Sequence, residues 1–143
     1  MIAKIPDLYK DLFESTVEVM LTTITPAGYP HNTLVWCSFD GTYVLLNTGI
    51  GYHKERNMRK NPKVSVFASD SKDKLRWVEV QGEVELIEDG AVEHLNELSF
   101  AYTEKRDFYR DVLPQLEGKE TRVIVKVTPR KVMTSGGQGL RQT

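Results

Sequence analysis

The residues best suited to chemistry lie in one short segment, 48–63, which reads TGIGYHKERNMRKNPK. A hydroxyl and two glycines precede the start of a predicted helix, so backbone N–H groups there can approach an anion without obstruction from a Cβ atom. Lysine and arginine add charge-assisted hydrogen bonds, which are about twice as strong as neutral ones. The segment therefore has the parts of a phosphate site. Its basic or potentially basic side chains are His53, Lys54, Arg56, Arg59, Lys60 and Lys63.

The charge of the whole chain limits how this segment is interpreted. Lysine and arginine number 19 against 20 aspartate and glutamate residues, a formal net charge of -1, so the basic cluster is a local feature. That balance, and the lack of a strand that interleaves aromatic and basic residues, predicts no nucleic-acid partner. The Walker phosphate loop and the GxGxxG dinucleotide pattern are both absent. A solvated basic helix face is the alternative to a phosphate site.

The other side chains that could carry chemistry favour structural roles. Cys37 is the only cysteine, which excludes an internal disulfide and a cysteine-rich zinc module. It alternates with Val35 and Phe39, so we expect a core thiol. The three histidines are too scattered along the chain to predict a metal site. Trp36 and Trp77 are interpreted as barrel or interface residues, with stacking on a bound ring as the alternative.

Length and composition predict one globular domain. The chain has 143 residues, of which 40% are hydrophobic and 27% are charged, values ordinary for a protein with its own core. The apolar runs fall short of the roughly 20 residues that span a bilayer, and the N-terminus has no apolar signal-peptide core. We therefore expect no membrane partner and a cytoplasmic location. Residues 1–133 are predicted to form the domain, and residues 134–143, with three glycines, a flexible tail.

The pattern of elements favours a mainly β fold with flanking α. Residues 31–39 are predicted to return from the first strand through a turn at 25–28, and a third strand at 42–47 continues the meander. Few signs of parallel βαβ units appear, so a small antiparallel barrel with helices outside is expected. The predicted helices are 5–14, 52–60, 89–101 and 105–112, and the predicted strands are 17–25, 31–39, 42–47, 63–68, 75–87 and 121–133.

Several stretches of the sequence resemble one known family. They are Gly28 to Trp36 with Asp40-Gly41, the HKERNMRKNPKVSV run at 53–66, WVEVQGEV at 77–84 and RVIVKVTPRKV at 122–132. Together they resemble the pyridoxamine 5′-phosphate oxidase-like flavin-binding split barrels over roughly residues 10–133. The resemblance implies a six-stranded antiparallel split β-barrel with short peripheral helices. It also implies a homodimer with the cofactor in the groove between the two barrels.

The resemblance also implies which residues bind the cofactor. Its phosphate would be held by Thr48, His53 and Lys54, although an arginine often stands at the position of His53, and a neutral imidazole gives only one donor. Arg56 is a candidate for cofactor binding beside these three. Asn32, Thr33 and Asn57 are further candidates for cofactor binding.

The function that the resemblance implies is hydride transfer between the cofactor and a small conjugated substrate. The cofactor would be FMN or, alternatively, the deazaflavin coenzyme F-420, whose tail would use a longer basic groove that Arg56, Arg59 and Lys60 could supply. Oxidation of pyridoxamine phosphate itself is not expected, because Arg141 has no histidine companion in the C-terminal sequence. No catalytic residue is assigned, since the cofactor carries the chemistry. The competing hypothesis is a non-catalytic protein that binds or carries flavin, haem or another tetrapyrrole.

Overall fold

The computed structural model describes residues 1–136. A 3-10 helix at Asp7–Phe13 precedes the first strand, and a second short 3-10 turn lies at Pro114–Leu116. The helices are α1 His53–Lys60, α2 Ala91–Thr103 and α3 Phe108–Asp111. The strands are β1 Val19–Ile24, β2 Pro30–Val35, β3 Ser38–Phe39, β4 Val44–Gly49, β5 Lys63–Ser69, β6 Trp77–Ile87 and β7 Arg122–Thr134.

All seven strands belong to one sheet in the order β2-β1-β5-β6-β7-β4-β3, and every neighbouring pair is antiparallel. The predicted fold class, a mainly β antiparallel split barrel with few short helices, is thereby confirmed. The structure has seven strands where six were predicted, because the predicted strand at 31–39 breaks into β2 and β3.

That break also corrects the predicted meander. Only Trp36 and Cys37 separate β2 from β3, yet these two strands form opposite edges of the sheet. From Val35 to Ser38 the chain advances by three residues, which span about 11 Å at most when extended. The two edges must therefore lie close together, and the sheet is curled into a barrel. The third predicted strand, β4, pairs with β3 on one side and with β7 on the other, and not with β2. Local turn signals cannot reveal this exchange of edges, since each hairpin is correct by itself.

The barrel interior is filled by the side chains that alternate inward along the strands. Val44 and Leu46 on β4 lie opposite Val127 and Val125 on β7, and all four side chains are buried. Phe13 of the N-terminal 3-10 helix joins the same core. A helix there was predicted over 5–14, and it forms as a shorter 3-10 helix. The burial of this row fixes the register of β4 and β7, because a one-residue slip would send every side chain to the other face.

A β-bulge bends the long β6–β7 pairing. The register shifts between Gln81 and Gly82, and Gly82 lies against the Thr128 carbonyl. A Cβ atom added to Gly82 would lie 2.2 Å from that carbonyl oxygen. Only glycine therefore fits this close approach of two backbones, and the bend helps the sheet to curl.

The end of β7 falls beyond the predicted domain boundary. Thr134 is the last residue of β7, and the buried Ser135 accepts from the Trp77 backbone N–H through its hydroxyl at 3.2 Å. The first two residues of the predicted tail are thus tied to β6. Residues 137–143 of that predicted tail, including Arg141, lie outside the described residues.

Candidate functional site

A cavity of about 220 Å³ lies where the two edges of the barrel approach each other. The edge strand β2, the Trp36 link, β4, α1, α2, α3 and the start of β7 all contribute to its wall. Since β2 has no strand partner on its outer side within residues 1–136, its backbone is available along this opening. The lining residues are Glu18, Leu34, Val35, Trp36, Asn47, Lys54, Leu95, Leu98, Phe108 and Arg122. We refer to this opening as the split cavity.

Lys54 is the predicted site residue that reaches the split cavity. It follows the first residue of α1 and is half-buried, and no carboxylate among residues 1–136 lies within ion-pair distance of its ammonium group. Burial lowers the pKa of Lys54, and the charge of Arg122 lowers it further. Two cations that face one cavity repel each other, so an anion placed between them would relieve both effects.

Arg122 is the second cation of the split cavity, and no sequence pattern had singled it out. It is buried, and its Nε donates to the Asn47 side-chain oxygen at 2.8 Å. Its Nη1 donates to Glu120 at 2.8 Å. Glu120 also accepts from the hydroxyls of Tyr52 and Tyr109 at 2.6 and 2.9 Å. Tyr52 directly precedes α1, so this buried carboxylate joins the start of that helix to Arg122.

Two hydroxyls among the predicted site residues are buried without a partner. Thr48 is 2% exposed and points to the same side of β4 as the core residue Leu46. Neither its Oγ1 nor the Oγ1 of Thr33 on β2 has a hydrogen-bond partner among the described residues. Unpaired buried hydroxyls are uncommon in folded proteins, because burying a polar group without a partner costs free energy. Neither threonine lines the split cavity, and Thr48 lies on the side of β4 opposite to Asn47, which does.

His53 and Arg56 lie at the outer rim of the same region. His53 is exposed at the first position of α1, and its ring centroid is 6.2 Å from that of His31 on β2. Arg56 turns back on its own loop, where its guanidinium donates to the Gly51 carbonyl and approaches His53 Nδ1 at 3.2 Å. The strand and the helix therefore meet at this rim. Arg56 is partly committed to holding the glycine loop in place.

Asn57 and Asn32 occupy different places from the residues above. Asn57 is buried on the inner side of α1, and its amide donates to the Thr23 hydroxyl at 3.0 Å, which fixes α1 on β1. Asn32 is exposed on the outer face of β2 and accepts from the Thr22 hydroxyl at 2.6 Å. Adjacent residues on a strand face opposite ways, so Asn32 and Thr33 do not share a side of the sheet.

The basic residues of the predicted longer groove also differ in their ion pairing and exposure. Arg59 is paired with the buried carboxylate of Glu55 at 2.6 Å, and Glu55 in turn accepts from the Gly51 backbone N–H at 2.8 Å. Lys60 is exposed, and so is Lys63 at the start of β5. Glu55 therefore uses one carboxylate to hold both its own helix and the loop that precedes it.

A polar network supports the split cavity from behind. The Asn47 amide donates to the Ala91 carbonyl at 2.9 Å and lies 3.1 Å from His94 Nδ1. His94 Nε2 is 3.0 Å from the Ser38 hydroxyl. Because the Asn47 amide is a donor, Nδ1 acts as the acceptor and the neutral ring carries its proton on Nε2. The network thus requires the uncharged imidazole and fixes α2 against β3 and β4.

This network predicts that the protein loses stability as the pH falls from 7.5 to 5. Burial lowers the pKa of His94 to about 4. The unfolded chain, with an ordinary histidine pKa, binds more protons at these pH values than the folded chain does. The free energy of unfolding should therefore fall by about 2 kcal/mol between pH 7.5 and pH 5. Urea unfolding at both pH values measures the loss. His94→Asn should be less stable at pH 7.5 but should lose about 2 kcal/mol less on acidification; an unchanged pH dependence would contradict the assignment.

A larger groove of about 540 Å³ lies on the outer face of the sheet, across β1, β5, β6 and β7. Its basic side chains include Arg130, which is paired with Glu83 at 2.9 Å and also donates to the Met1 carbonyl. Size alone would favour this groove as the ligand site. We favour the split cavity, because its cations Lys54 and Arg122 are half-buried and buried, whereas the basic residues of the larger groove are exposed. A cation screened from water attracts an anion more strongly than an exposed one does.

The described part of the chain gives no sign of a metal centre or a membrane span. Residues 1–136 contain no group of three or more side chains that could together hold a metal ion. In the same residues no helix is long and apolar enough to cross a membrane.

Known families and structures share this fold. A family model described as pyridoxamine 5′-phosphate oxidase matches residues 5–136. Among curated proteins no match was found. Of the solved structures, an F-420 reductase has a TM-score of 0.77 at 26% identity, covering 90% of this chain and 98% of the other. A conserved hypothetical protein from Mycobacterium tuberculosis has a TM-score of 0.72 at 27% identity, covering 93% and 85%. The HupZ protein of Group A Streptococcus shares the fold, with a TM-score of 0.63 at 16% identity and coverage of 91% and 93%.

Proposed function

Since the chain belongs to the pyridoxamine 5′-phosphate oxidase family, we propose that it is an oxidoreductase that binds FMN or the deazaflavin F-420. The observation that carries the proposal is the pair of cations in the split cavity, Lys54 and Arg122, of which Lys54 has no acidic partner within residues 1–136. The similarity to an F-420 reductase over almost the whole length of both chains supports the same class of cofactor.

The residues around the split cavity fit the phosphate end of such a cofactor. Lys54 supplies a half-buried ammonium group and Arg122 a buried guanidinium, and both residues line the cavity, whereas Thr48 and Thr33 do not. The cavity, at about 220 Å³, is smaller than the roughly 300 to 1,000 Å³ of pockets that enclose a drug-sized ligand. It would therefore hold only part of the cofactor, and another surface must cover the rest.

When bound, a flavin or deazaflavin supplies the hydride chemistry, and the protein binds, orients and shields it. Trp36 and Phe108 form aromatic walls of the split cavity, with ring centroids 6.1 Å apart, and Leu95 and Leu98 add aliphatic surface. These groups exclude water next to the two cations, which strengthens their attraction for an anion. The half-buried lysine and the walls together would fix the cofactor by its phosphate.

We propose further that a second copy of this chain completes the site. The outer face of the sheet carries an apolar row that runs across β2, β1 and β5, formed by Leu34, Met20 and Phe67 at matching register positions. Leu34 is 65% exposed, and the partly exposed Phe67 stacks on Trp77 with ring centroids 5.6 Å apart. Such a row is typical of an interface. Sedimentation should give a dimer, and a monomer at micromolar concentration that binds cofactor fully would contradict a shared site.

The first experiment is an absorption spectrum of the purified protein, followed by parallel titrations with FMN and F-420. Saturable binding of either, followed by hydride transfer to or from a small conjugated compound, is the expected result. Tight binding without turnover across a panel of such compounds would support the carrier hypothesis instead. Binding of neither cofactor would contradict the proposal and leave the fold unaffected.

A further inference from the structure

Arg122 has a donor group that the rest of the described chain leaves free. Its Nε and Nη1 are engaged by Asn47 and Glu120, whereas its Nη2 donates to no residue within 1–136. The side chain is 9% exposed and lines the split cavity. Nη2 is not among the buried side-chain atoms that lack a partner, so this end of the guanidinium is open to the cavity. An acceptor on a ligand in the cavity can therefore reach it, and hydrogen bonds to charged groups are among the stronger ones.

The surroundings of Arg122 hold the guanidinium still. Asn47 lies on the neighbouring strand β4, and Glu120 is itself fixed by two tyrosine hydroxyls. The guanidinium carbon also lies 5.8 Å from the centre of the Phe108 ring. A planar fork held by such contacts loses little conformational entropy when it binds an oxyanion. This rigidity distinguishes Arg122 from the exposed Lys60 of α1.

The charges that face the split cavity are few. Lys54 and Arg122 are its cations among the described residues, Glu120 neutralises part of the charge of Arg122, and Glu18 is the acidic residue in its lining. Glu18 forms no ion pair with either cation within residues 1–136. Lys54 is thus left without a partner there, and the free end of Arg122 faces the same space. An oxyanion between the two would satisfy both.

We propose that Arg122 is a direct ligand of the bound oxyanion, paired with Lys54 and positioned by Asn47 and Glu120. Its Nη2 would donate to a phosphate oxygen while the Lys54 ammonium group binds from α1. That the oxyanion is the cofactor's phosphate rests on the proposed function; that the cavity binds an oxyanion rests on the geometry alone. Arg122 is then the residue that makes the site select a phosphorylated ligand over its phosphate-free form.

The test compares FMN with riboflavin, which lacks the phosphate. Arg122→Gln is combined with Glu120→Gln, so that no buried carboxylate is left unpaired, and Arg110→Gln on the exposed side of α3 is the control. We expect the double variant to lose at least about tenfold in FMN affinity with an unchanged affinity for riboflavin. Arg122→Lys keeps the charge but lacks the planar guanidinium, so its FMN affinity should lie between that of wild type and that of the double variant. Glu18→Gln should tighten FMN binding by about two- to threefold, since it removes the facing carboxylate.

The outcomes separate this inference from the proposed function. A folded double variant that retains the wild-type ratio of FMN to riboflavin affinity would overturn the role of Arg122 while leaving the cofactor assignment standing. If wild type binds neither FMN nor F-420, inorganic pyrophosphate at constant ionic strength becomes the probe. Saturable pyrophosphate binding that is lost in the double variant would then support the oxyanion site by itself. Absence of pyrophosphate binding in that case would overturn it.

Discussion

Lys54→Ala should weaken FMN binding by about 10- to 150-fold, the equivalent of about 1.5 to 3 kcal/mol for a lost hydrogen bond to a charged group. The reason is that Lys54 is the cation of the split cavity without an acidic partner among residues 1–136, so its attraction is available to a ligand. Its removal should not lower the free energy of unfolding, because it also ends a repulsion with Arg122. Fluorescence titration with FMN measures the first effect and urea unfolding the second.

Lys60→Ala is the matched control for this prediction. Lys60 carries the same charge on the same helix but is exposed and does not line the split cavity. Its removal should change FMN affinity by less than about threefold, since screening weakens exposed charges. Equal losses in the two variants would mean that α1 attracts the ligand only through its overall charge. That result would support the alternative interpretation, in which the segment is a solvated basic helix face.

Gly82→Ala should destabilise the protein by about 3 kcal/mol or more. The new Cβ would lie 2.2 Å from the Thr128 carbonyl oxygen and 3.0 Å from its carbon, and neither atom can rotate away as a side chain would. Strands β6 and β7 must then separate at the bulge, where the longest pairing of the sheet is bent. Urea or thermal unfolding of the variant measures the loss.

Gly28→Ala separates this clash from the general cost of replacing glycine. Gly28 lies in the turn between β1 and β2 with a φ of +90°, and no atom of the described residues lies within 4 Å of the position that its new methyl group would take. Backbone strain alone should cost roughly 1 to 2 kcal/mol there. If Gly82→Ala is no more harmful than Gly28→Ala, the two strands are free to adjust and the close approach does not constrain the fold.

The strands could be predicted from the sequence because each buries one face. The alternation of Val78 and Val80 with Glu79 and Gln81 predicted β6 to within two residues at its start. The exchange of edges could not be predicted, because the pattern of residues 31–39 continues through Trp36 and Cys37 while the pairing changes partner. Period-2 alternation reports which face of a strand is buried, and it carries no record of which strand lies beside it.

The candidate site was predictable only in its local part. Thr48, His53 and Lys54 are neighbours in sequence, and the basic cluster around them was visible without a structure. Arg122 was not visible, because it begins an ordinary alternating strand and its partner Asn47 lies 75 residues away. The sequence alone does not distinguish a buried arginine with an unused donor from an arginine on the surface. Only the folded contacts distinguish the two.

The position of β7 in the sheet also sets the order in which the protein can assemble. The last strand along the described chain lies between β6 and β4 and is the sole sheet neighbour of β4 there besides the two-residue β3. While the chain is being synthesised, the β3–β4 hairpin therefore has no sheet to join until residues 122–134 have emerged. The site cannot form before β7 has paired with β4, since Arg122 is the first residue of β7. The proposed cofactor, present during synthesis, would therefore stabilise only chains that already include β7.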